Sequence, residues 1–319
     1  MQADGPFAGS SLAVVGNINR DVKTAPLHAG GHLFADGETS VNSITETIGG
    51  GGANSAFAAA SLGARVSFLG KVGEDALGHR LERTLKQHGV GAHLARDAHH
   101  PSGTSIALAF DNGHRHFLSC LPASEALGFA DLDFGALEDR AHLLRADVWF
   151  SESMLFEGNR HLFEHARDAG IAVSMDLNWD PQWGSAKPAH IAARKQAARD
   201  VLPLVDLAHG NVRELMEFAG ATDLDTALKC LTDWGVGAVV VHLGAQGGGY
   251  YAGGVLVVEP PVPITAQVNT TGTGDVFSVC MMLLHSRPDI PVNERLRIAN
   301  TVVAEFMEGR RSLIPPLAC

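Results

Sequence analysis

Residues 269–278 read NTTGTGDVFS and run directly into the apolar VCMMLL, so small residues and one acid stand where a buried helix begins. Gly272 and Gly274 free the backbone to turn a row of N–H groups toward one point. The helix that follows Asp275 adds the positive end of its dipole, which favours an anion there. These residues predict an oxyanion hole for phosphate at the mouth of the helix.

Asp275, in the first turn of that helix, has two interpretations. A carboxylate beside a bound phosphate can abstract the proton of a hydroxyl that attacks the phosphorus. The alternative is that Asp275 only caps the helix, which is a common role for Asp. The motif alone leaves both interpretations open.

A second glycine cluster, IGGGGANSAF, occupies residues 48–57. A dinucleotide-binding GxGxxG would need Gly at position 54 or 55, where the chain has Asn54 and Ser55, so a Rossmann site is disfavoured. Either the run is a loose turn before a helix, or its backbone lies against a ligand while Asn54 caps the helix or binds hydroxyls.

Composition and charge exclude several classes of function. The 319 residues carry a formal net charge of -11, which gives no broad attraction to nucleic acid or anionic lipid. No apolar run reaches the roughly 18 residues needed to span a bilayer. The four cysteines lie far apart without a CxxC pair. We therefore expect a cytoplasmic protein that binds a small molecule, with no nucleic-acid or membrane partner.

Short apolar runs alternate with amphipathic segments of helical length, which predicts a mostly parallel sheet covered on both faces. Predicted strands include residues 11–18, 65–73, 146–153, 171–178 and 238–244. The alternation breaks at GTSIALAFDNGHRHFLSC, residues 103–120, where two β-like runs flank a turn-forming Asp-Asn-Gly. We expect a single domain over residues 1–319, with a small projecting sheet built from segments of about 22–48 and 101–120.

The two glycine motifs together resemble the signatures of the PfkB family of carbohydrate kinases, which have the ribokinase-like fold. GGGGANSAFAAASLGARVSFLGKVGEDALG (residues 49–78) is similar to the N-terminal signature of the family, and NTTGTGDVFS to its C-terminal one. Shorter matches follow the family order: GNINRD, DLNW, NVRE and LGAQGG. The resemblance covers nearly the whole chain and implies a three-layer α/β/α kinase that uses ATP and Mg²⁺, with the small sheet as a lid.

The resemblance also implies a role for each matching residue. Asp275 is the implied catalytic base, and the implied anion hole consists of the amides around Gly272, Thr273 and Gly274. The implied substrate ligands are Asp21, Gly50, Gly51, Asn54 and Glu152. Glu214 is the implied magnesium ligand, directly or through water. The implied cofactor-binding residues are Asn178, Asn211, Glu214, His242, Gly244 and Gly247.

Three positions depart from the family pattern. Asp180 stands where many relatives have Arg, Asn269 replaces the usual Asp, and His242 replaces a common Thr before the Gly turn. An acid at position 180 would repel an anionic substrate, so we expect a preference for a neutral polyol. The amide of Asn269 removes a charge near a loop that commonly holds a monovalent cation in relatives, so we expect weak stimulation by potassium.

The sequence thus predicts an ATP-dependent kinase that phosphorylates a hydroxyl of a sugar or sugar-like molecule, as a homodimer assembled through the lid. A nucleoside kinase of the same fold is the first alternative, because the sequence does not reveal a base pocket. A sugar-binding or regulatory protein without catalysis is the second alternative, and the three departures motivate it.

Overall fold

A nine-stranded sheet forms the centre of the computed structural model, which describes residues 5–265 and 271–317. In chain order the strands are β1 Ser11–Val15, β2 Asn19–Thr24, β3 Ile44–Gly49, β4 Arg65–Gly73, β5 Val90–Asp97, β6 Gly103–Ala109, β7 Arg115–Cys120, β8 His142–Arg145, β9 Ala172–Asp176, β10 Leu207–Asn211, β11 Ala238–His242, β12 Gly248–Ala252 and β13 Val255–Glu259. The central order is β13-β12-β11-β10-β9-β8-β1-β4-β5. Strands β11 to β5 in this order are parallel, and β12 and β13 add an antiparallel edge, which confirms the predicted sheet.

The alternation of side chains along β1 builds two hydrophobic cores. Leu12 and Val14 belong to the core on one face of the sheet, and Ala13 and Val15 belong to the core on the other. All four side chains are fully buried, as expected of a parallel strand that is covered on both sides. The protein therefore has three layers, with the sheet between two layers of helices.

Helices cover both faces of the central sheet. In chain order they are α1 Gly51–Ser61, α2 Ala76–Gln87, α3 Pro122–Glu125, α4 Asn159–Asp168, α5 Pro188–Asp200, α6 Val212–Ala219, α7 Leu224–Asp233, α8 Thr273–His285 and α9 Val292–Met307. Side chains of α1, α2, α8 and α9 fill one core, and those of α4 to α7 fill the other. Within the described residues, no helix has the length and apolar character that a bilayer span requires.

The second, smaller sheet has the order β3-β2-β6-β7. β2 pairs antiparallel with β3 and parallel with β6, while β6 and β7 form the predicted hairpin. β2 begins at Asn19 and β3 ends at Gly49, so this part of the small sheet extends slightly beyond the predicted 22–48 at both ends. Because β2 follows β1, the small sheet stands at the carboxyl edge of the central strands.

The predicted strand at residues 146–153 is wrong. The strand is β8, which ends at Arg145, and Asp147 has a left-handed backbone with a φ of 53°. A non-Gly residue rarely adopts this conformation, and here it turns the chain away from the sheet. The turn is held because the Asp147 carboxylate accepts backbone N–H bonds from Asn17, Gly51 and Gly52.

Candidate active site

Several of the predicted site residues lie at the carboxyl edge of the central sheet. Because five neighbouring strands run in parallel, the residues that end or follow them meet at one edge: Asn17, Asp147, Asn178, Asn211 and His242. The chain order reverses at β1, which lies between β4 and β8. Ligands of open α/β sheets bind at such a reversal, beside the carboxyl ends of the strands.

Asp275 joins the two glycine motifs into one site. It lies in the first turn of α8, which begins at Thr273. The Asn54 side chain, from the first motif, donates a 2.9 Å hydrogen bond from Nδ2 to Oδ2 of Asp275, across 221 residues of sequence. The interaction fixes the direction of the Asp275 carboxylate and leaves its Oδ1 for another partner.

The environment of Asp275 moves its ionisation into the physiological range. Burial raises the pKa of this carboxyl to about 7, while the hydrogen bond from Asn54 opposes the shift and the charges of Asp147 and Glu214 add to it. The side chain nevertheless remains partly exposed at the mouth of α8. An accessible carboxylate with a pKa near the working pH is well matched to general base catalysis.

Gly272 and Gly274 shape the start of α8 by lacking a side chain. Gly272 has a φ of 85°, and a Cβ there would lie 2.5 Å from Cδ1 of Ile314. A Cβ on Gly274 would lie 3.1 Å from Nδ1 of His242. The amides at the start of a helix have no carbonyl partner within it, so those of Gly272, Thr273 and Gly274 can meet an anion.

The first glycine motif wraps around Asp147, which the sequence interpretation missed. Gly51 and Gly52 donate their N–H groups to the Asp147 carboxylate at 3.2 and 2.8 Å, and the N–H of Asn17 donates at 2.9 Å. Gly50 has a φ of 98°, and a Cβ there would lie 2.3 Å from the carbonyl oxygen of Asn17. The amide of Gly51 is therefore engaged within the protein, and the role of Gly51 as a substrate ligand stays a prediction.

Four carboxyl groups lie close enough to influence one another. Burial raises the pKa of Asp176 well above its ordinary value, and the charges of Glu214, Asp275 and Asp147 raise it further. Burial likewise raises the pKa of Asp147 and of Glu214. Within the two described ranges, no group of three His, Cys, Asp or Glu side chains has the arrangement of a preformed metal site.

Asn211 and Glu214 form the capping box of α6. Asn211 Oδ1 accepts the Glu214 N–H at 3.0 Å, and Glu214 Oε2 accepts the Asn211 N–H at 2.8 Å. Asn178 donates from Nδ2 to Asp147 at 3.4 Å. These hydrogen bonds stabilise the local structure at the carboxyl edge of the sheet. The predicted roles of Asn178, Asn211 and Glu214 in binding nucleotide and metal stay predictions.

Two cavities adjoin this edge. The first, the His242 cavity, has a volume of about 570 Å³ and contains three predicted cofactor-binding residues: His242, Gly244 and Gly247. Thr273 and Gly274 also line it, and its remaining walls are mostly apolar: Pro261, Val262, Pro263, Ile264, Phe277, Val303, Ala304 and Met307. Burial lowers the pKa of His242 to about 4, so the ring is neutral near pH 7.

The second, the Asp21 cavity, has a volume of about 310 Å³ and lies under the small sheet. It contains two predicted substrate ligands, Asp21 and Asn54, together with Lys23, which the sequence interpretation did not single out. The other lining residues are Thr47, Ile48, Thr271, Phe306, Ile314, Pro315 and Pro316. The polar lining could hydrogen-bond several hydroxyls of a small molecule.

Asp180 does not face either cavity, so the basis for predicting a neutral substrate is wrong. Its carboxylate is fully buried and accepts two hydrogen bonds from the Arg194 guanidinium, one from Nε–H at 2.7 Å and one from a terminal N–H at 3.3 Å. Glu152 joins the same cluster, pairing with Arg194 at 3.1 Å and with His190 at 3.2 Å. The partners of Glu152 thus lie on α5, and its role as a substrate ligand stays a prediction.

Asn269, on which the potassium prediction depends, lies outside the described residues. The small reliance of activity on potassium therefore stays a prediction.

Comparison with known proteins adds independent support to the glycine motifs. A model of the pfkB family carbohydrate kinases matches residues 10–304, which include both motifs and the small sheet. The chain belongs to the pfkB family of carbohydrate kinases. The family resemblance found in the sequence is thereby confirmed.

Named relatives of this pfkB-family chain cover most of its length. It is 31% identical over 292 residues to probable fructokinase-4 of Arabidopsis thaliana, covering 84% of each chain. Fructokinase-1 of Oryza sativa subsp. japonica is 32% identical over 287 residues, or 85% of this chain and 82% of the relative. The crystal structure of a fructokinase with bound ATP from Xylella fastidiosa has a TM-score of 0.77 at 21% identity, over 93% of this chain and 92% of that chain. The structural likeness confirms the predicted fold.

Proposed function

We propose that the protein transfers the γ-phosphoryl group of ATP to a hydroxyl of a sugar or sugar-like molecule. One observation carries the proposal: the start of α8 separates the two cavities. Thr271 lines the Asp21 cavity, Thr273 and Gly274 line the His242 cavity, and Asn54 reaches from the Asp21 cavity to Asp275. Acceptor and nucleotide bound in these cavities would meet at the carboxylate and amides between them.

Asp275 supplies the base in this reaction. It takes the proton of the acceptor hydroxyl as the hydroxyl oxygen bonds to the γ-phosphorus, and the bond from phosphorus to the β,γ-bridging oxygen breaks to leave ADP. Asn54 holds the carboxylate toward the acceptor. The amides at Gly272, Thr273 and Gly274 stabilise charge on the transferred group, because they are fixed before the reaction begins.

The His242 cavity fits the adenosine part of the nucleotide. Its apolar walls, and the backbone without side chains at Gly244 and Gly247, suit a flat aromatic base. Thr273 and Gly274 line the same cavity, which directs the phosphates toward α8. The fructokinase from Xylella fastidiosa, which has the same fold, was crystallised with bound ATP.

The acidic edge fits a magnesium ion that travels with the nucleotide. Burial raises the pKa of Asp176, and the negative charges of Glu214, Asp275 and Asp147 raise it further, so a cation would relieve the repulsion at this edge. Mg²⁺ usually keeps water and phosphate ligands and takes one or two carboxylates, which agrees with the scarcity of preformed ligand groups in the described residues. When bound, the ion neutralises charge on the phosphate oxygens. Glu214 would hold it directly or through water.

The small sheet is proposed as both lid and dimer interface in a cytoplasmic enzyme. Ile106 of β6 and Leu118 of β7 are paired in register and share one face, with exposed fractions of 39% and 52%. Exposed apolar neighbours of this kind are common where a second subunit binds. Sedimentation of the wild type and of Leu118→Glu tests the interface, since the charge should shift a dimer to monomer.

Release of ADP from ATP and magnesium tests the proposed activity across ketoses, aldoses, sugar acids, sugar phosphates and nucleosides. The expected result is acceptor-dependent ADP release with at least one sugar or sugar derivative, and its loss in Asp275→Asn. Preferred turnover of a nucleoside would favour the nucleoside kinase alternative. Thermal stabilisation by sugars without acceptor-dependent ADP release would contradict the proposal and favour a binding protein.

A further inference from the structure

The inner face of the small sheet carries charged side chains over the Asp21 cavity. Side chains alternate along β2, so Asn19, Asp21 and Lys23 share one face of the strand. Asn19 and Asp21 are buried, and Asp21 lines the cavity together with Lys23. The polar face of β2 is therefore turned toward the Asp21 cavity.

Among the described residues that line this cavity, Lys23 is the one with a positively charged side chain. Within the described part of the chain, its ammonium makes no hydrogen bond or ion pair. Burial lowers the pKa of Lys23, the Asp21 carboxylate offsets part of this effect, and the Arg115 guanidinium adds to it. An ammonium that loses water without gaining a partner is costly, so a ligand atom that accepts its hydrogen bonds is favoured.

Arg115 brings a second positive charge to the same face. The strand register pairs Lys23 with Ala107 of β6, and Ala109, two residues further along β6, with Arg115 of β7. Residues two apart on a strand share a face, so Lys23 and Arg115 lie on the same side of the small sheet. A guanidinium N–H of Arg115 donates to the hydroxyl of Thr271, which lines the cavity.

A single acid of β2 opposes these two cations. Asp21 Oδ1 already accepts a 2.8 Å hydrogen bond from Asn19, and burial raises the pKa of this carboxyl. Asp180, which the family pattern would place against an anionic substrate, is enclosed with Arg194 and does not line the cavity. The inner face of the small sheet thus has an excess of positive charge.

We propose that the acceptor carries an anionic group, a carboxylate or a phosphate, which Lys23 binds with the support of Arg115. This inference rests on the proposed function and narrows its substrate class to sugar acids and sugar phosphates. The anion replaces the water that Lys23 loses on burial, whereas a neutral sugar offers only hydroxyls to the ammonium. Asn54 and Asp275 then hold the hydroxyl that is phosphorylated.

Matched pairs of acceptors test the charge requirement in the wild type. Fructose is compared with fructose 1-phosphate and fructose 6-phosphate, and glucose with gluconate and 2-keto-3-deoxygluconate, by kcat/KM at fixed ATP. We expect at least one anionic acceptor to exceed its neutral partner by about tenfold or more, the value of one charge-assisted hydrogen bond. The phosphate and carboxylate arms tell the two anions apart. A neutral acceptor that equals or exceeds every anionic one would overturn the inference while leaving the kinase activity intact.

Variants of Lys23 test the assignment to this residue. Lys23→Met should lower kcat/KM for the anionic acceptor about tenfold more than for its neutral partner, mainly through KM. Lys23→Arg should retain most of the preference. Lys229→Met, at an exposed pair with Asp233, is the control for loss of one lysine. Equal losses for charged and neutral acceptors in Lys23→Met would contradict the assignment. If no acceptor in the panel is phosphorylated by the wild type, the proposed function itself fails.

Discussion

Asp180 is fully buried and Asp275 is partly buried, and the two acids have opposite kinds of partner. Asp180 is fully buried and paired twice with the guanidinium of Arg194, whose side chain is 1% exposed. Among the described residues, Asp275 receives a hydrogen bond from the amide of Asn54 and lies near the acids Asp147 and Glu214, and burial raises its pKa to about 7. A cation holds Asp180 in a structural role, whereas no cation of the described residues pairs with Asp275, which can therefore gain and lose a proton. The comparison predicts that substitution of Asp275 will lower turnover, whereas disruption of the Asp180–Arg194 pair will lower stability.

The largest effect is expected from Asp275→Asn. The amide keeps the size of the side chain but cannot accept the hydroxyl proton, so turnover should fall by about 10² to 10⁴. Thermal stability and ATP affinity should remain near wild type. Asp223→Asn is the matched control, because Asp223 caps α7 through the N–H of Thr226 at 2.8 Å. If both variants keep full turnover, Asp275 is only a helix cap.

Arg194→Met should mainly cost stability. Removing one partner of a buried ion pair leaves Asp180 charged without compensation, so the free energy of unfolding should fall by about 3 to 5 kcal/mol in urea titrations. Arg194→Met combined with Asp180→Leu should recover part of this loss. Lys229→Met, in an exposed pair, should leave the value close to that of the wild type. An equally small effect of Arg194→Met would show that the buried pair contributes little to the fold.

Gly274→Val should weaken nucleotide binding. A β-branched side chain there meets Nδ1 of His242, which lies 3.1 Å from the position of a Cβ, and it enters the space where phosphate is expected. The dissociation constant for ATP should rise about tenfold or more in calorimetry. Gly184→Val is the control, since a Cβ at Gly184 meets nothing within 4 Å. Unchanged ATP affinity in Gly274→Val would place the phosphates elsewhere.

The parts of the site predicted from sequence depend on local chemistry. Gly272 is required by the left-handed backbone at the start of α8, and the apolar run after Asp275 indicates the helix itself. The strand β4 was predicted at the bounds that the structure has, because its apolar run lies between clear turn signals. Motifs that act within a few residues of sequence could therefore be identified without the fold.

The missed features depend on contacts between distant segments. Asp147 accepts hydrogen bonds from the N–H groups of Gly51 and Gly52, almost 100 residues away. Its left-handed backbone follows the end of β8 at Arg145, so residues 146–153 do not form the predicted strand. An acid after a buried strand was the available signal. Asp180 was assigned by family position, but its partner Arg194 lies on α5, and no local pattern couples the two. The position of Lys23 beside Arg115 depends on the pairing of β2 with β6, so it could not be predicted from the sequence around Lys23.

The pH dependence of phosphoryl transfer tests most directly the claim that Asp275 is the base. Only the ionised carboxylate can accept the hydroxyl proton, and its pKa is about 7. With both substrates well below their KM, the ratio of wild-type to Asp275→Asn rates should therefore fall about tenfold per pH unit below pH 7 and level off above it. Taking the ratio removes the ionisation of ATP and acceptor, which both enzymes share. A ratio that stays constant from about pH 5.5 to about pH 8.5 would contradict the assignment of Asp275 as the base.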